Sequence, residues 1–268
     1  MTSLVDPKEI AKFNQIARNY WDPQGPMRAI HKINPLRIDF TESCYPLQDA
    51  SVLDVGCGGG MAAEAMARRG SLVTAIDASE AMIKTAKLHA AESGLSINYL
   101  ETHAEQFLQM STKQFDVVTC FEMVEHVPDP HHTLTALSQL VRPGGWLILS
   151  TINKTPKAYL GAVIAAEYIL KWVPRGTHDY TRFLRPSDIA SSLRPAGPEI
   201  EYIEGLTYQP LYQQFKRTID DVIATTPGAI RSVVMLATAS LVPQENPSTP
   251  GRVPGLQRRW VKVLGRAR

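Results

Sequence analysis

The sequence has few features of disulfide-linked proteins, of nucleic-acid-binding proteins or of membrane-spanning proteins. Its 268 residues include only three cysteines, an odd number that indicates reduced thiols rather than a disulfide framework. The formal net charge is only +2, without the basic face typical of duplex-binding domains, so we expect no nucleic-acid partner. The longest apolar stretch, residues 158–173, is shorter than a bilayer span and contains Glu167 and Lys171. With no secretory signal at the N-terminus, we expect a cytoplasmic protein.

A regular alternation of strand and helix patterns begins at residue 51. Short apolar runs are separated by helical segments, which is the pattern of β-α-β units in a largely parallel sheet. No internal repeat interrupts it, so solenoid architectures are set aside. We predict strands at residues 51–55, 72–76, 97–100, 115–121, 146–151 and 200–204, and helices at about 61–69, 80–93, 103–109, 131–141, 156–172 and 186–193. The predicted fold class is α/β, with helices on both faces of the sheet.

Both ends of the chain differ from this core. Residues 1–50 are predicted to form a helical cap, with an amphipathic helix at about 6–20 and a second helix at about 34–44. Residues 51–215 form the predicted core, and residues 216–268, rich in Pro, Ser, Gly and Asn towards the end, a disordered tail. Whether a segment such as Ser232–Leu236 supplies the last strand, or the sheet lacks an edge, stays open.

A glycine-rich turn follows the first predicted strand. Residues 52–60 read VLDVGCGGG, so Gly56 and Gly58 lie between an apolar strand and a helix, where a backbone without Cβ atoms can turn tightly against a ligand. Asp77 ends the next strand, where a carboxylate can accept the hydroxyls of a ribose. A nucleoside ligand therefore fits this pattern better than a simple turn in which Asp77 only caps a helix.

Asp54 helps to distinguish the possible nucleotides. A carboxylate two residues before the first glycine would repel the pyrophosphate of NAD, but it favours the ammonium and sulfonium groups of S-adenosyl-L-methionine. The pattern resembles motif I of class I methyltransferases and implies their Rossmann-like fold, in which Ala104 and Glu105 fall near the adenine edge. An NAD-dependent oxidoreductase is the alternative from another reaction class.

An acidic turn follows the fourth predicted strand. Residues 121–130 read FEMVEHVPDP, which places Glu122, Glu125 and His126 on one face of a helical turn. These are the candidate catalytic residues, because an acceptor hydroxyl must be aligned and deprotonated before methyl transfer. Three interpretations stay open: a divalent cation such as Mg²⁺, a metal-free general base, or solvated acids with a histidine that caps the next helix.

Several segments in order resemble the bacterial ubiquinone biosynthesis O-methyltransferases: INPLR at residues 33–37, the glycine turn, residues 121–130, and PRGTHD at residues 174–179. This resemblance implies methylation of a polyprenyl hydroxyphenol and of demethylubiquinol. It adds Arg37 and Phe121 to Asp54, Gly56, Gly58 and Asp77 as cofactor contacts, and it makes Glu122, Glu125 and His126 the metal set, with His178 a candidate further ligand. Alternative acceptors are another small catechol or an RNA 2′-hydroxyl. The likeness ends near residue 215.

The implied substrate is a polyprenylated phenol or quinol, which is insoluble in water. Its enzyme must meet a membrane surface or a ubiquinone biosynthetic complex. Residues 156–173 combine aromatic and aliphatic side chains with flanking lysines, which is typical of an interfacial helix. We therefore expect peripheral association with the inner membrane, with a lid or core helix packed on the sheet as the alternative.

Overall fold

Eight strands form one sheet in the computed structural model, which describes residues 4–160, 164, 167, 176–177, 179–196, 199–209, 214–219 and 231–239. The strands are β1 (Ser51–Val55), β2 (Leu72–Asp77), β3 (Asn98–Glu101), β4 (Phe115–Phe121), β5 (Val141–Ile152), β6 (Glu199–Gln209), β7 (Gln214–Ile219) and β8 (Arg231–Ala239). Their order is β3-β2-β1-β4-β5-β8-β6-β7. Every neighbouring pair is parallel except β6 and β7, which pair antiparallel. The predicted mostly parallel sheet is confirmed.

Helices cover both faces of this sheet. They are α1 (Pro7–Ile16), α2 (Arg28–Cys44), α3 (Met61–Ala67), α4 (Glu80–Glu92), α5 (Ala104–Met110), α6 (Pro130–Gln139), α7 (Pro156–Ala158) and α8 (Pro186–Leu193). Successive strand residues point to opposite faces. Accordingly, Val52 packs in a cluster with residues of α2, α3 and α4, whereas Leu53 packs in another with residues of α5, α6 and α8. Both side chains are fully buried, which explains why the central strands are apolar throughout.

The N-terminal region packs over the carboxyl end of the first strands. Asp6 caps α1 by accepting a hydrogen bond from the Lys8 backbone N–H at 3.0 Å, and Pro7 occupies the first helical position. The chain continues through a 3₁₀ turn, Ala17–Asn19, to Tyr20, which is buried with Met61 and Met82. Helix α2 begins at Arg28, earlier than predicted, and Pro35 lies inside the helix rather than at its start. Ile33, Asn34 and Arg37, on either side of Pro35, are buried.

The carboxyl-terminal part of the sheet corrects one prediction. Strand β8 lies between β5 and β6, so the sheet gains a strand from the segment that includes Ser232–Leu236. The predicted disordered tail is therefore wrong for residues 216–219 and 231–239. The physical reason is the β-branched and apolar run in β8, which completes the hydrogen bonds of both neighbouring strands. Residues 220–230 and 240–268 lie outside the described part of the chain.

The predicted interfacial helix is described only at its start. Helix α7 opens with Thr155 as its N-cap, and Tyr159 and Leu160 follow it, with 39% and 53% of their surfaces exposed. Most of residues 161–173 lies outside the described residues. Within the part of the chain that is described, no helix is both long enough and apolar enough to span a membrane.

The strand order reverses between β1 and β4. Connections after β1 lead to β2 and β3 on one side, and the later strands β4 and β5 follow on the other. The loops after β1 and β4 therefore diverge and leave a crevice at the carboxyl edge, where open α/β sheets bind their ligands. The glycine turn, Asp77 and the acidic turn all lie at this edge.

Candidate functional site

The glycine turn after β1 is closely covered by the N-terminal region. Gly56 has φ +72°, and a Cβ there would come within 2.5 Å of Met123 Cγ. At Gly59 a Cβ would come within 2.4 Å of the Tyr20 ring. The Trp21 indole N–H donates to the Gly59 carbonyl at 2.9 Å. Glycine is therefore required here both for the turn and for the close approach of neighbouring side chains.

Asp77 lies at the end of β2 and closes the glycine turn. Its carboxylate accepts hydrogen bonds from the Gly58 backbone N–H at 2.9 Å and from the Ser79 backbone N–H at 2.8 Å. Burial raises the pKa of Asp77, and these two hydrogen bonds oppose the rise. The carboxylate thus has a fixed orientation at the edge of the crevice, as a group that accepts ribose hydroxyls requires.

Asp54 is a buried carboxylate with one oxygen unpaired. Only 2% of the residue is exposed. Thr119 donates a hydrogen bond to Oδ1 at 2.8 Å, whereas Oδ2 has no hydrogen-bond partner in the described part of the chain. Burial raises the pKa of Asp54 to about 6. A buried carboxylate with a free oxygen is suited to a cationic ligand group, because pairing would offset the cost of desolvation.

Two adjoining cavities, of about 110 and 100 Å³, lie over the strand-order reversal. Arg37 and Asp54 line the first, and Glu105 and Ala104 line the second. Five residues line both cavities and so form their common wall: Phe13, Gly56, Asp77, Met123 and His126. The two cavities together extend from the predicted amino-acid end of the cofactor to the predicted adenine edge.

Arg37 and Glu122 form an ion pair across the first cavity. Arg37 Nη2 lies 2.6 Å from Glu122 Oε1, and the two side chains are 2% and 17% exposed. Ser150 also donates to Glu122 Oε1, at 2.9 Å. The guanidinium lies 5.4 Å from the centre of the Phe121 ring. Arg37 therefore contacts an acidic residue of the candidate site, which the sequence analysis did not predict.

Glu122 also has a strained backbone. Its φ is +48°, in the left-handed region that a residue with a Cβ rarely adopts. Its N–H donates to the Ser150 carbonyl at 2.8 Å, which fixes the turn after β4. Strain of this kind clusters at functional sites. The acidic turn is therefore held in one conformation by the Glu122 backbone and its hydrogen bond to Ser150, and it is not simply a solvated loop.

Glu125 is almost completely buried, with 4% of the residue exposed. Thr151 donates to Oε2 at 2.9 Å, and Oε1 has no hydrogen-bond partner among the described residues. Burial, followed by the charge of Glu122, raises the pKa of Glu125 to about 7. The interpretation of this residue as a solvated acid is therefore wrong.

His126 contacts the N-terminal helix rather than capping α6, whose N-cap is Asp129. His126 Nδ1 lies 2.9 Å from Glu9 Oε2, and the ring packs edge-on against Phe13. Burial alone would lower the pKa of His126, but the Glu9 hydrogen bond and the neighbouring carboxylates raise it. The same hydrogen bond lowers the pKa of Glu9 to about 2.

The three members of the predicted metal set do not converge in the described part of the chain, where no group of three acidic, histidine or cysteine side chains could hold a metal ion. Arg37 and Ser150 hold Glu122, and Glu9 holds His126. The proposed fourth ligand, His178, lies outside the described residues. The ligand roles of these residues stay predictions.

Two residues of the site were not predicted from the sequence. Tyr20 and Glu9 lie in the predicted cap helix, where an aromatic residue and an acid on an amphipathic surface give no sign of their contacts. Both contacts join positions far apart in the chain, so local spacing could not reveal them. The predicted cap itself does pack against the site.

Comparisons with known proteins agree with this geometry. A family model described as a methyltransferase domain matches residues 53–149. Among solved structures, the magnesium protoporphyrin IX methyltransferase of Synechocystis, with bound S-adenosylmethionine, has a TM-score of 0.52 at 21% identity, covering 74% of this chain and 88% of that one. A possible histamine N-methyltransferase of Thermotoga maritima has a TM-score of 0.55 at 14% identity, covering 81% and 95%. The predicted class I methyltransferase fold is confirmed.

Curated relatives are much more similar in sequence. The ubiquinone biosynthesis O-methyltransferase of Saccharophagus degradans is 49% identical over 218 residues, which cover 81% of this chain and 92% of that protein. The proteins of the same name from Thiobacillus denitrificans and Pseudomonas aeruginosa are 49% and 50% identical over the same length, covering 94% of each. The resemblance found in the sequence is confirmed. This chain belongs to the family of ubiquinone biosynthesis O-methyltransferases and is an S-adenosyl-L-methionine-dependent enzyme.

Proposed function

We propose that the protein methylates ring hydroxyls of polyprenylated phenol and catechol intermediates in ubiquinone biosynthesis, namely a polyprenyl hydroxyphenol and demethylubiquinol. The observation that carries this proposal is the acidic turn after β4: Glu122 and His126 line the cavity of the glycine turn, and Glu125 is buried close enough to both for their charges to affect its pKa. Such groups matter because O-methylation needs a group that receives the acceptor's proton. The name shared by the curated relatives supports the substrate class.

We assign the cofactor contacts by matching the charges of the site residues to the groups of the cofactor. Asp77 accepts the ribose hydroxyls, and the unpaired Oδ2 of Asp54 binds the ammonium group, directly or through water. Arg37 binds the cofactor carboxylate through its Nε, which has no hydrogen-bond partner among the described residues, while Nη2 stays on Glu122. When bound, S-adenosyl-L-methionine supplies a methyl group already activated by its sulfonium.

Glu125 and His126 are the proposed acceptor-side residues. The pKa of Glu125, raised to about 7 by burial, lies near neutral pH, where a general base is most effective. The phenolic proton passes to Glu125 or to the His126 imidazole as the acceptor oxygen forms its bond to the methyl carbon and the bond from that carbon to sulfur breaks, which leaves S-adenosylhomocysteine. The acceptor oxygen must lie in line with the bond from sulfur to the methyl carbon, and we assign that positioning to His126, which lines both cavities.

Replacing Glu125 tests this assignment. Glu125→Gln preserves the shape of the buried side chain and should lower kcat by about 100- to 10,000-fold with a prenylated catechol, because the proton acceptor is lost. Glu101→Gln, at the exposed end of β3, is the matched control and should retain wild-type turnover. Equal activity of the two variants would contradict the role of Glu125.

We further propose that a divalent cation, most simply Mg²⁺, assists the reaction. The oxygen ligands that such a cation prefers are present: Glu125 Oε1 is buried and has no hydrogen-bond partner in the described part of the chain, and carboxylate oxygens suit a hard cation. Because the three side chains do not converge among the described residues, Glu122 would have to leave Arg37 and Ser150 before it and His126 could complete the set, with His178 as a further ligand. A bound cation would lower the pKa of an acceptor hydroxyl and orient it.

Chelation tests the cation separately from the methyl donor. Turnover should fall in excess EDTA and return with added Mg²⁺, while binding of S-adenosylhomocysteine, measured by calorimetry, should not change. Full turnover in excess EDTA would remove the cation from the mechanism and leave Glu125 and His126 as metal-free groups.

Finally, we propose that the protein works in the cytoplasm at the surface of the inner membrane, docked on lipid or on a biosynthetic complex through the segment that begins with α7. Tyr159 and Leu160 are exposed there, and lysines flank them. Flotation with anionic liposomes should recover the wild-type protein, and Leu160→Glu should reduce that recovery. Leu88→Glu, at an exposed leucine on α4, is the control and should float normally. Equal recovery of both variants would favour a packing role for the segment.

A further inference from the structure

Helix α1 brings a second carboxylate to the acidic turn. Glu9 Oε2 lies 2.9 Å from His126 Nδ1, across 117 residues of sequence. The Glu9 side chain is only 12% exposed. Its other oxygen lies 2.7 Å from Lys12 Nζ, and Arg182 Nη1 lies 3.9 Å away. Lys12 and Arg182 thus lie near one oxygen of the Glu9 carboxylate, and its other oxygen contacts Nδ1 of His126.

Several other contacts also hold the N-terminal helix in place. Arg182 pairs with Asp6 at 3.0 Å, and the Ser79 hydroxyl donates to Asn14 at 2.6 Å. Phe13 and Ile16 pack against the cluster that includes Met61 and Met82. The N-terminal region is therefore anchored at several other points, so anchoring alone does not account for Glu9 at His126.

A carboxylate at Nδ1 has a definite chemical effect on a histidine. It favours the neutral tautomer that carries its proton on Nδ1, because that N–H donates to the carboxylate. The lone pair then lies on Nε2, and the hydrogen bond fixes the plane of the ring. The orienting carboxylate of a catalytic triad, and the carboxylate behind a metal-bound histidine, both act in this way.

We propose that Glu9 is a positioning residue for methyl transfer: it holds His126 with Nε2 as the nitrogen available to the reacting groups. The proposal rests on the proposed function, since it gives His126 an acceptor-side role. It also gives the N-terminal helix a chemical purpose beyond covering the cofactor, because the site is incomplete until α1 has docked.

Two variants of Glu9 and one control test the proposal. Glu9→Gln removes the charge with little change of shape, and kcat should fall about 10- to 100-fold, as is typical when the partner of an active histidine is lost. The KM for S-adenosyl-L-methionine should not change. Glu9→Asp should recover part of the loss. Asn14→Ala, which removes another contact of the same helix, should lower thermal stability and keep the wild-type kcat.

The tautomer is measured independently of activity. Nitrogen-15 NMR of the neutral His126 ring should show the proton on Nδ1 in the wild type and a shift of the population towards Nε2 in Glu9→Gln. An unchanged tautomer, or wild-type kcat in Glu9→Gln, would overturn the proposal. If the wild type methylated no prenylated catechol, the proposed function would fail. The tautomer measurement would still show whether Glu9 orients the His126 ring.

Discussion

Replacing Arg37 with Met should destabilise the protein, because it removes the partner of Glu122. Loss of one member of a buried ion pair costs about 3–5 kcal/mol. Here the Glu122 side chain is 17% exposed and keeps the hydrogen bond from Ser150. We therefore expect the lower end of that range, about 3 kcal/mol in the free energy of unfolding. Urea unfolding followed by tryptophan fluorescence and circular dichroism measures this loss.

A double-mutant cycle isolates the ion pair. In Arg37→Met/Glu122→Gln no unpaired charge remains, so the double variant should recover about 2 kcal/mol relative to the sum of the single changes. Lys84→Met removes an ion pair with Glu80 in which both side chains are well exposed, and it should leave the free energy of unfolding almost unchanged. Strict additivity of the Arg37 and Glu122 changes would refute the pairing.

Three further predictions concern the crevice. Gly59→Ala places a Cβ within 2.4 Å of the Tyr20 ring, and urea unfolding should show a loss of about 1–3 kcal/mol in the free energy of unfolding from overpacking; unchanged stability would mean that Tyr20 does not pack tightly on the glycine turn. Asp77→Asn should weaken the binding of S-adenosylhomocysteine, measured by calorimetry, by about 1.5–3 kcal/mol, because a charged acceptor is lost, and wild-type affinity would place the ribose elsewhere. For Asp54, burial raises the pKa from 3.8 to about 6 in the folded protein. Ionised Asp54 therefore destabilises the fold: this destabilisation is absent below about pH 3.8, grows as the pH rises, and is complete above about pH 6. Thermal melts without cofactor should therefore show Asp54→Asn gaining more over the wild type at pH 8 than at pH 4.5, and a gain independent of pH would contradict the shift.

The sequence predicted the core of the fold because its signals are local. The strand β1, the glycine turn and Asp77 follow one another closely, and glycine has a conformational reason to occupy that turn. The parallel strands then bring Asp54, Asp77 and the acidic turn to one edge without further information. The β-α-β pattern predicts a largely parallel sheet, but it leaves open the order of the strands, which the structure supplies.

Contacts between distant segments could not be predicted in the same way. The ion pair of Arg37 with Glu122 and the contact of Glu9 with His126 join the N-terminal cap to the turn after β4. Side-chain packing decides such pairs, and spacing along the chain does not record it. The position of β8 was equally open, because an apolar β-branched run indicates a strand but does not indicate which two strands it pairs with.

Methyl transfer by this protein can be followed directly with an isotope label. The full-length protein is incubated with S-adenosyl-L-methionine carrying a deuterated methyl group and with a prenylated catechol, and the products are analysed by mass spectrometry. We expect a labelled methyl ether on one ring oxygen and an equal amount of S-adenosylhomocysteine, both abolished in Asp77→Ala. An unlabelled catechol recovered intact, from protein that binds the methyl donor, would contradict the assigned acceptor.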